Sequence, residues 1–158
     1  MGLDMYIRKA NRTDHTIEEL KAIDDGDITP DSKEVAPFLP LREYKYAKGC
    51  YSIFHEVAYW RKFNALHNWF VQRVQDGVDE CQTSPIDEDT LVELLDDINA
   101  VLNGEVIEDL EPVSGFFFGS TEKDVWYVES MREAKDTIET LIKDTDFDKY
   151  RLFYRASW

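Results

Sequence analysis

Apolar residues recur along this chain with two spacings, every second residue and about every 3.6 residues, and the switches between them predict its elements. Leu3, Met5 and Ile7 alternate with Asp4, Tyr6 and Arg8, which predicts a strand over 2–10. IEELKAI at 17–23 reads as a short helix, the Pro-rich stretch at 24–43 as a loop, and 44–52 as a second, weak strand. The spacing then predicts one long helix over 53–75, with Gly77 placed to end it. Asp87 is a good N-cap for a helix over 88–103, with Ile86 and Leu91 as its hydrophobic staple and Gly104 as its stop. Leu91, Leu94, Leu95, Ile98, Val101 and Leu102 form the apolar stripe of that helix. SGFFFGST at 114–121 reads as a short strand buried on both faces, or one whose middle ring covers a site. Thr121 and Asp124 resemble a capping box for a helix over 122–143, whose stripe is Val125, Val128, Met131, Ala134, Ile138, Leu141 and Ile142. The last ten residues alternate again, with Tyr150, Leu152, Tyr154, Ala156 and Trp158 on one face, and the terminal Trp158 ring is expected to be buried.

Strands at both ends with helices between them predict an α+β fold. The expectation is a single compact domain spanning 1–158, with three main helices packed on a small, mostly antiparallel sheet that pairs the N- and C-terminal strands. A chain of 158 residues is long enough for one real core. No apolar run approaches the length of a membrane span, and the first residues lack the apolar segment of a signal peptide. These features predict a cytoplasmic protein that does not engage a membrane.

Charge changes the picture more than composition does. The net charge is −15. Residues 74–122 hold fourteen acidic side chains and no Lys or Arg, while the flanking segments are close to neutral. A field of this sign repels nucleic acid and attracts basic protein surfaces. Asp89, Glu93, Asp96 and Asp97 lie on the polar side of the 88–103 helix and are the candidate partner-binding surface.

Candidate chemistry concentrates in the 56–77 stretch. On a helical wheel Arg61, Asn64 and Asn68 fall in one stripe, with Trp60 and His67 beside it. A guanidinium and two carboxamides in a row can fix a carboxylate, a phosphate or a peptide backbone. They can equally hydrogen-bond loop carbonyls, such as those of the Pro-rich segment. Trp60, Arg61, Asn64, His67 and Asn68, with Phe117 as a wall, make the candidate ligand site. His67 has no metal-pairing neighbour on its helix, since His55 lies twelve residues earlier. The carboxylates at Asp76, Asp79, Glu80, Asp87 and Asp89 match no EF-hand spacing and read as caps and solvated faces. Cys50 and Cys81 lack zinc spacing and read as buried free thiols. No nucleophile elbow, P-loop or dinucleotide fingerprint occurs, so no catalytic residue, metal or cofactor is assigned.

Four blocks carry a resemblance: GLDMY at 2–6, EVAYWRKFNALHNWFVQRVQDGVDEC at 56–81, SGFFFGSTEKD at 114–124 and the terminal SW at 157–158. In these the chain resembles a family of small uncharacterised proteins encoded by bacteriophages and prophages. It departs from the family pattern at Lys123, where Tyr is usual, and at Phe63, where a small residue is usual. The resemblance implies a phage origin and action in the host cytoplasm, and supplies no activity or catalytic residue. Two functions follow as expectations. One is an acidic binding protein that acts on host or defence machinery with a basic surface, without catalysis. The other is a protein that binds a small anionic molecule or a nucleotide, with or without hydrolysis.

Overall fold

The computed structural model describes residues 2–11, 54–115 and 119–158. The expected short helix at 17–23, the Pro-rich loop at 24–43, the weak strand at 44–52, Cys50 and Phe117 lie outside the described residues. The described elements are β1 (Asp4–Asn11), β2 (His55–Arg61), α1 (Asn64–Val74), β3 (Ser84–Ile86), α2 (Glu88–Leu102), a 3₁₀ turn at Glu108–Leu110, α3 (Val125–Asp144) and β4 (Tyr150–Ser157). This is the α+β architecture expected. Its sheet runs β2-β1-β4-β3 with every pair antiparallel, and the terminal strands pair from Asp4↔Ser157 to Asn11↔Tyr150.

Register places the core. Met5 faces Trp60 and Ala156, Ile7 faces Ala58 and Tyr154, and Ile86 faces Leu152. Directly opposed residues share a face of the sheet, so these side chains form one apolar surface. They join one buried cluster with Leu66, Trp69 and Phe70 of α1, Leu91, Leu94 and Ile98 of α2, and Met131, Ala134 and Ile138 of α3. The stripes read from α2 and α3 are thus the faces these helices bury, apart from Val125, which is exposed.

The single helix expected over 53–75 is replaced by a strand and a shorter helix. Val57, Tyr59 and Trp60 are strong strand formers, and β2 buries Ala58 and Trp60 while exposing Tyr59 and Arg61. Val57 is the extra residue of a bulge, because Ile7 pairs with Ala58 but Arg8 pairs with Glu56. Lys62 then takes a left-handed φ of 57° and its N–H donates to Leu3 O at 2.8 Å, which turns the chain out of the sheet. α1 starts at Asn64 with no side-chain cap on Phe63. It ends as expected: Gly77, at φ 75°, donates to Val71 O at 2.8 Å.

Other boundaries shift for local reasons. Asp87 caps α2 by accepting from Thr90 N at 2.9 Å. Asp124 itself caps α3, accepting from Tyr127 N at 3.1 Å, so α3 starts at Val125 rather than 122. The described ends of the 114–121 segment are irregular rather than strand. Trp158 is 47% exposed instead of buried: β4 ends at Ser157, and the indole N–H donates to Asp79 Oδ1.

Candidate functional site

The residues singled out on the 56–77 stretch do not form one stripe. Trp60 is buried in the sheet core. Arg61 closes β2 and is exposed, with Nε 3.6 Å from Asp4 Oδ1. Asn64 is buried in the first turn of α1 and donates from Nδ2 to Ser120 O at 2.8 Å. Asn68 donates to Asp109 O at 2.9 Å in the 3₁₀ turn. Both carboxamides therefore hold loop carbonyls, and the Pro-rich segment lies outside the described residues.

His67 sits in a different environment, buried under β4. Its Nδ1 is 2.7 Å from Tyr154 Oη and its Nε2 is 3.0 Å from Asp79 Oδ2. Asp79 Oδ1 in turn accepts from Trp158 Nε1 at 3.2 Å. An ionised carboxylate only accepts and an indole only donates. With a neutral imidazole the chain of bonds has one solution: Nε2–H donates to Asp79, and Nδ1 accepts from the Tyr154 hydroxyl. Burial, then the Asp79 charge and Cys81, push the Tyr154 phenol well above its ordinary pKa. The ring of Phe70 stacks on Tyr154 with centroids 4.0 Å apart. Cys81 is half-buried, and its thiol is free. Among the described residues no three His, Cys, Asp or Glu side chains converge to hold a metal.

Arg61 and Asn64 do meet at a groove of about 510 Å³ between the end of β2 and the start of α3. Lys62, Gly119, Trp126 and Tyr127 line it with them. Its loops approach closely: Gly119 has φ 97°, and a Cβ there would stand 3.0 Å from Lys62 O. Trp126 is 75% exposed. Lys62 makes no ion pair with any described residue. Glu122 and Asp124 bring opposite charge to the helix side of the groove. Neither Lys62 nor Trp126 was singled out from the sequence. Trp126 left one signal there, since it lies off the apolar stripe of its own helix.

The carboxylates of the middle third divide into two sets. Several hold the fold. Asp97 Oδ2 accepts from the Trp69 indole at 2.8 Å, and Arg73 reaches Asp109 at 2.6 Å and Glu93 at 2.9 Å. The Asp109 hydrogen bond raises the Arg73 pKa above its ordinary value. Lys123 pairs with Glu111. Glu88, Asp89 and Asp96 are exposed on one face of α2 and pair with no cation among the described residues, with Val92 between them 41% exposed. Glu105, Val106 and Glu108 extend the exposed acidic and apolar surface past the end of α2.

Fold and surface together define a class: an α+β domain with one acidic helix face and a buried histidine network. No protein-family model, curated protein or solved structure matches the chain. No helix among the described residues is long and apolar enough to cross a membrane.

Proposed function

We propose that this chain is an acidic binding protein that occupies a basic surface on host or defence machinery, with no reaction of its own. One observation carries the reading: Glu88, Asp89 and Asp96 stand on a single face of α2 without an ion pair among the described residues, in a stretch that holds fourteen acidic and no basic side chains. Unpaired carboxylates cluster at the expense of mutual repulsion, and a basic partner relieves it while also accelerating encounter. The phage origin and the host cytoplasm rest on the resemblance of the four sequence blocks. The test is a pull-down from bacterial lysate at low ionic strength. A partner is expected to be retained, released by about 0.5 M salt, and lost when Glu88→Gln, Asp89→Asn and Asp96→Asn are combined. Asp97 is left intact because it holds Trp69. Retention of nothing at low salt, or equal retention by the triple variant, defeats the reading.

A second reading is favoured by the groove between β2 and α3. Arg61 and Lys62 offer charge and Trp126 a ring face, which together suit a small anion bearing an aromatic ring. Thermal-shift screening against nucleotides is expected to find a stabiliser. Ligand at about 100 times its Kd adds about 2.7 kcal/mol, and the gain should vanish in Arg61→Ala and in Trp126→Ala. A panel that leaves Tm unmoved removes this reading.

A further inference from the structure

Two cations converge at the groove between β2 and α3. A Cβ built on Gly2 would stand 3.2 Å from Lys62 Cε and 3.7 Å from Arg61 Nη2, so both side chains fold over the same glycine. Like charges held this close repel. Lys62 also keeps a left-handed φ of 57°, which costs a lysine free energy. Its N–H bond to Leu3 O and the close approach of Gly119 to its carbonyl hold it there. Among the described residues the Lys62 ammonium makes no hydrogen bond or ion pair. Arg61 makes only the 3.6 Å contact with Asp4 Oδ1, which already accepts from the Tyr59 hydroxyl at 2.5 Å. Strain that distant segments over-determine is a feature of ligand sites, and a dianion seated on the two cations relieves their repulsion.

The helix side of the groove supplies an acceptor and a ring. Asp124 is committed to capping α3. Glu122 stands outside that cap, and among the described residues its carboxylate pairs with neither cation and accepts no hydrogen bond. Trp126 lines the same groove with its ring 75% exposed. A guanidinium beside an ammonium matches a terminal phosphate, at about −2 near neutral pH, better than a singly charged carboxylate. An exposed indole stacks a base. A carboxylate only accepts, which decides among bases. Guanine turns adjacent N1–H and N2–H donors along its pairing edge. Adenine, cytosine and uracil each set an acceptor beside their donor there, which a carboxylate repels.

We infer that this groove binds a guanine nucleotide, with Arg61 and Lys62 on the phosphate, Trp126 against the base and Glu122 on its pairing edge. The inference rests on the small-anion reading of the groove and names its ligand. It is tested on the 158-residue chain by isothermal titration calorimetry at about 50 mM salt, where screening is modest. The probes are GMP, IMP, AMP and ribose 5-phosphate. GMP is expected to bind tightest. IMP lacks the 2-amino group and should bind at least about tenfold more weakly, near 1.4 kcal/mol, with AMP weaker still. Glu122→Gln should erase the preference for GMP and leave ribose 5-phosphate unaffected. Lys62→Gly suits the left-handed backbone, so it should keep or raise Tm while weakening all four ligands at least about tenfold. Equal binding of GMP and AMP, or a preference for GMP that survives Glu122→Gln, overturns guanine recognition and leaves the groove as an anion site. Unchanged affinities in Lys62→Gly overturn the role of the paired cations. Binding of none of the four overturns this inference and the small-anion reading together.

Discussion

Replacing Trp69 by alanine is expected to destabilise the domain by about 3–5 kcal/mol. That is a large share of the roughly 5–15 kcal/mol that holds a typical domain together. Trp69 is fully buried in α1, edge-on to Phe70 at 5.4 Å, and its indole N–H reaches Asp97 at 2.8 Å. Truncation removes the ring contacts and leaves a cavity between α1 and α2. Urea titration should show a lower midpoint at an unchanged slope. Two companions separate packing from the hydrogen bond. Trp69→Phe keeps most of the ring and loses the donor. Asp97→Asn keeps an acceptor, and because Asp97 is half-exposed, water can take up the rest. The expected order of damage is Trp69→Ala, then Trp69→Phe, then Asp97→Asn. If Asp97→Asn proves as harmful as the alanine variant, the bond and not the packing anchors α1.

Tryptophan 69 also shows what the sequence made legible. The apolar stripes of α2 and α3 and the alternation of β4 are periodic over many residues, and each of the two helices opens on an aspartate cap that has a physical reason to be there. Those elements, and the pairing of the terminal strands, could be read directly. The 53–75 segment defeated the same logic. Its break falls at Lys62 and Phe63, where there is no proline or glycine and no side-chain cap. A left-handed lysine costs local energy, and it is held by a bond to Leu3 O and by close packing against Gly119, both distant in sequence. Nothing within the segment announces those partners. Trp60 and Ala58 look equally apolar at helical and strand spacing, so tertiary pairing with β1 decides. Three-residue β3 is too short to carry a period at all.

The site follows the same division. Once Arg61 belongs to a strand, the wheel that aligned it with Asn64 and Asn68 no longer applies, and only Arg61 and Asn64 share a groove. The acidic character was visible from composition, but its division was not. Asp97 and Asp109 look interchangeable with Asp89 and Asp96 in sequence. The fold commits the first pair to Trp69 and Arg73 and leaves the second pair to solvent. The acidic surface left to solvent is therefore smaller than the charge count implies, and among the described residues it centres on the start and outer face of α2.

Tyr154→Phe is expected to destabilise the domain by about 1–3 kcal/mol at neutral pH, although it removes a single oxygen. The loss leaves His67 Nδ1 buried without the donor that now sits at 2.7 Å. The same substitution should flatten the alkaline limb of the stability curve. The sign follows from burial and the Asp79 charge, which raise the folded-state phenol well above its ordinary 10.0. The unfolded chain releases the Tyr154 proton near pH 10 while the folded chain still holds it. The stability tied to that proton is complete below pH 10 and is lost as pH rises beyond it, with a limiting slope near 1.4 kcal/mol per pH unit. Tyr127 adds to the same limb, because burial, then the Glu111 charge, lifts its phenol to about 12. Wild type, Tyr154→Phe and Tyr127→Phe compared by urea unfolding between pH 8 and about 11 resolve the two contributions. A wild-type curve as flat as that of Tyr154→Phe would mean that water reaches the hydroxyl. The hydrogen-bond chain from Tyr154 through His67 and Asp79 to Trp158 would then not be what locks β4 to the segment after α1.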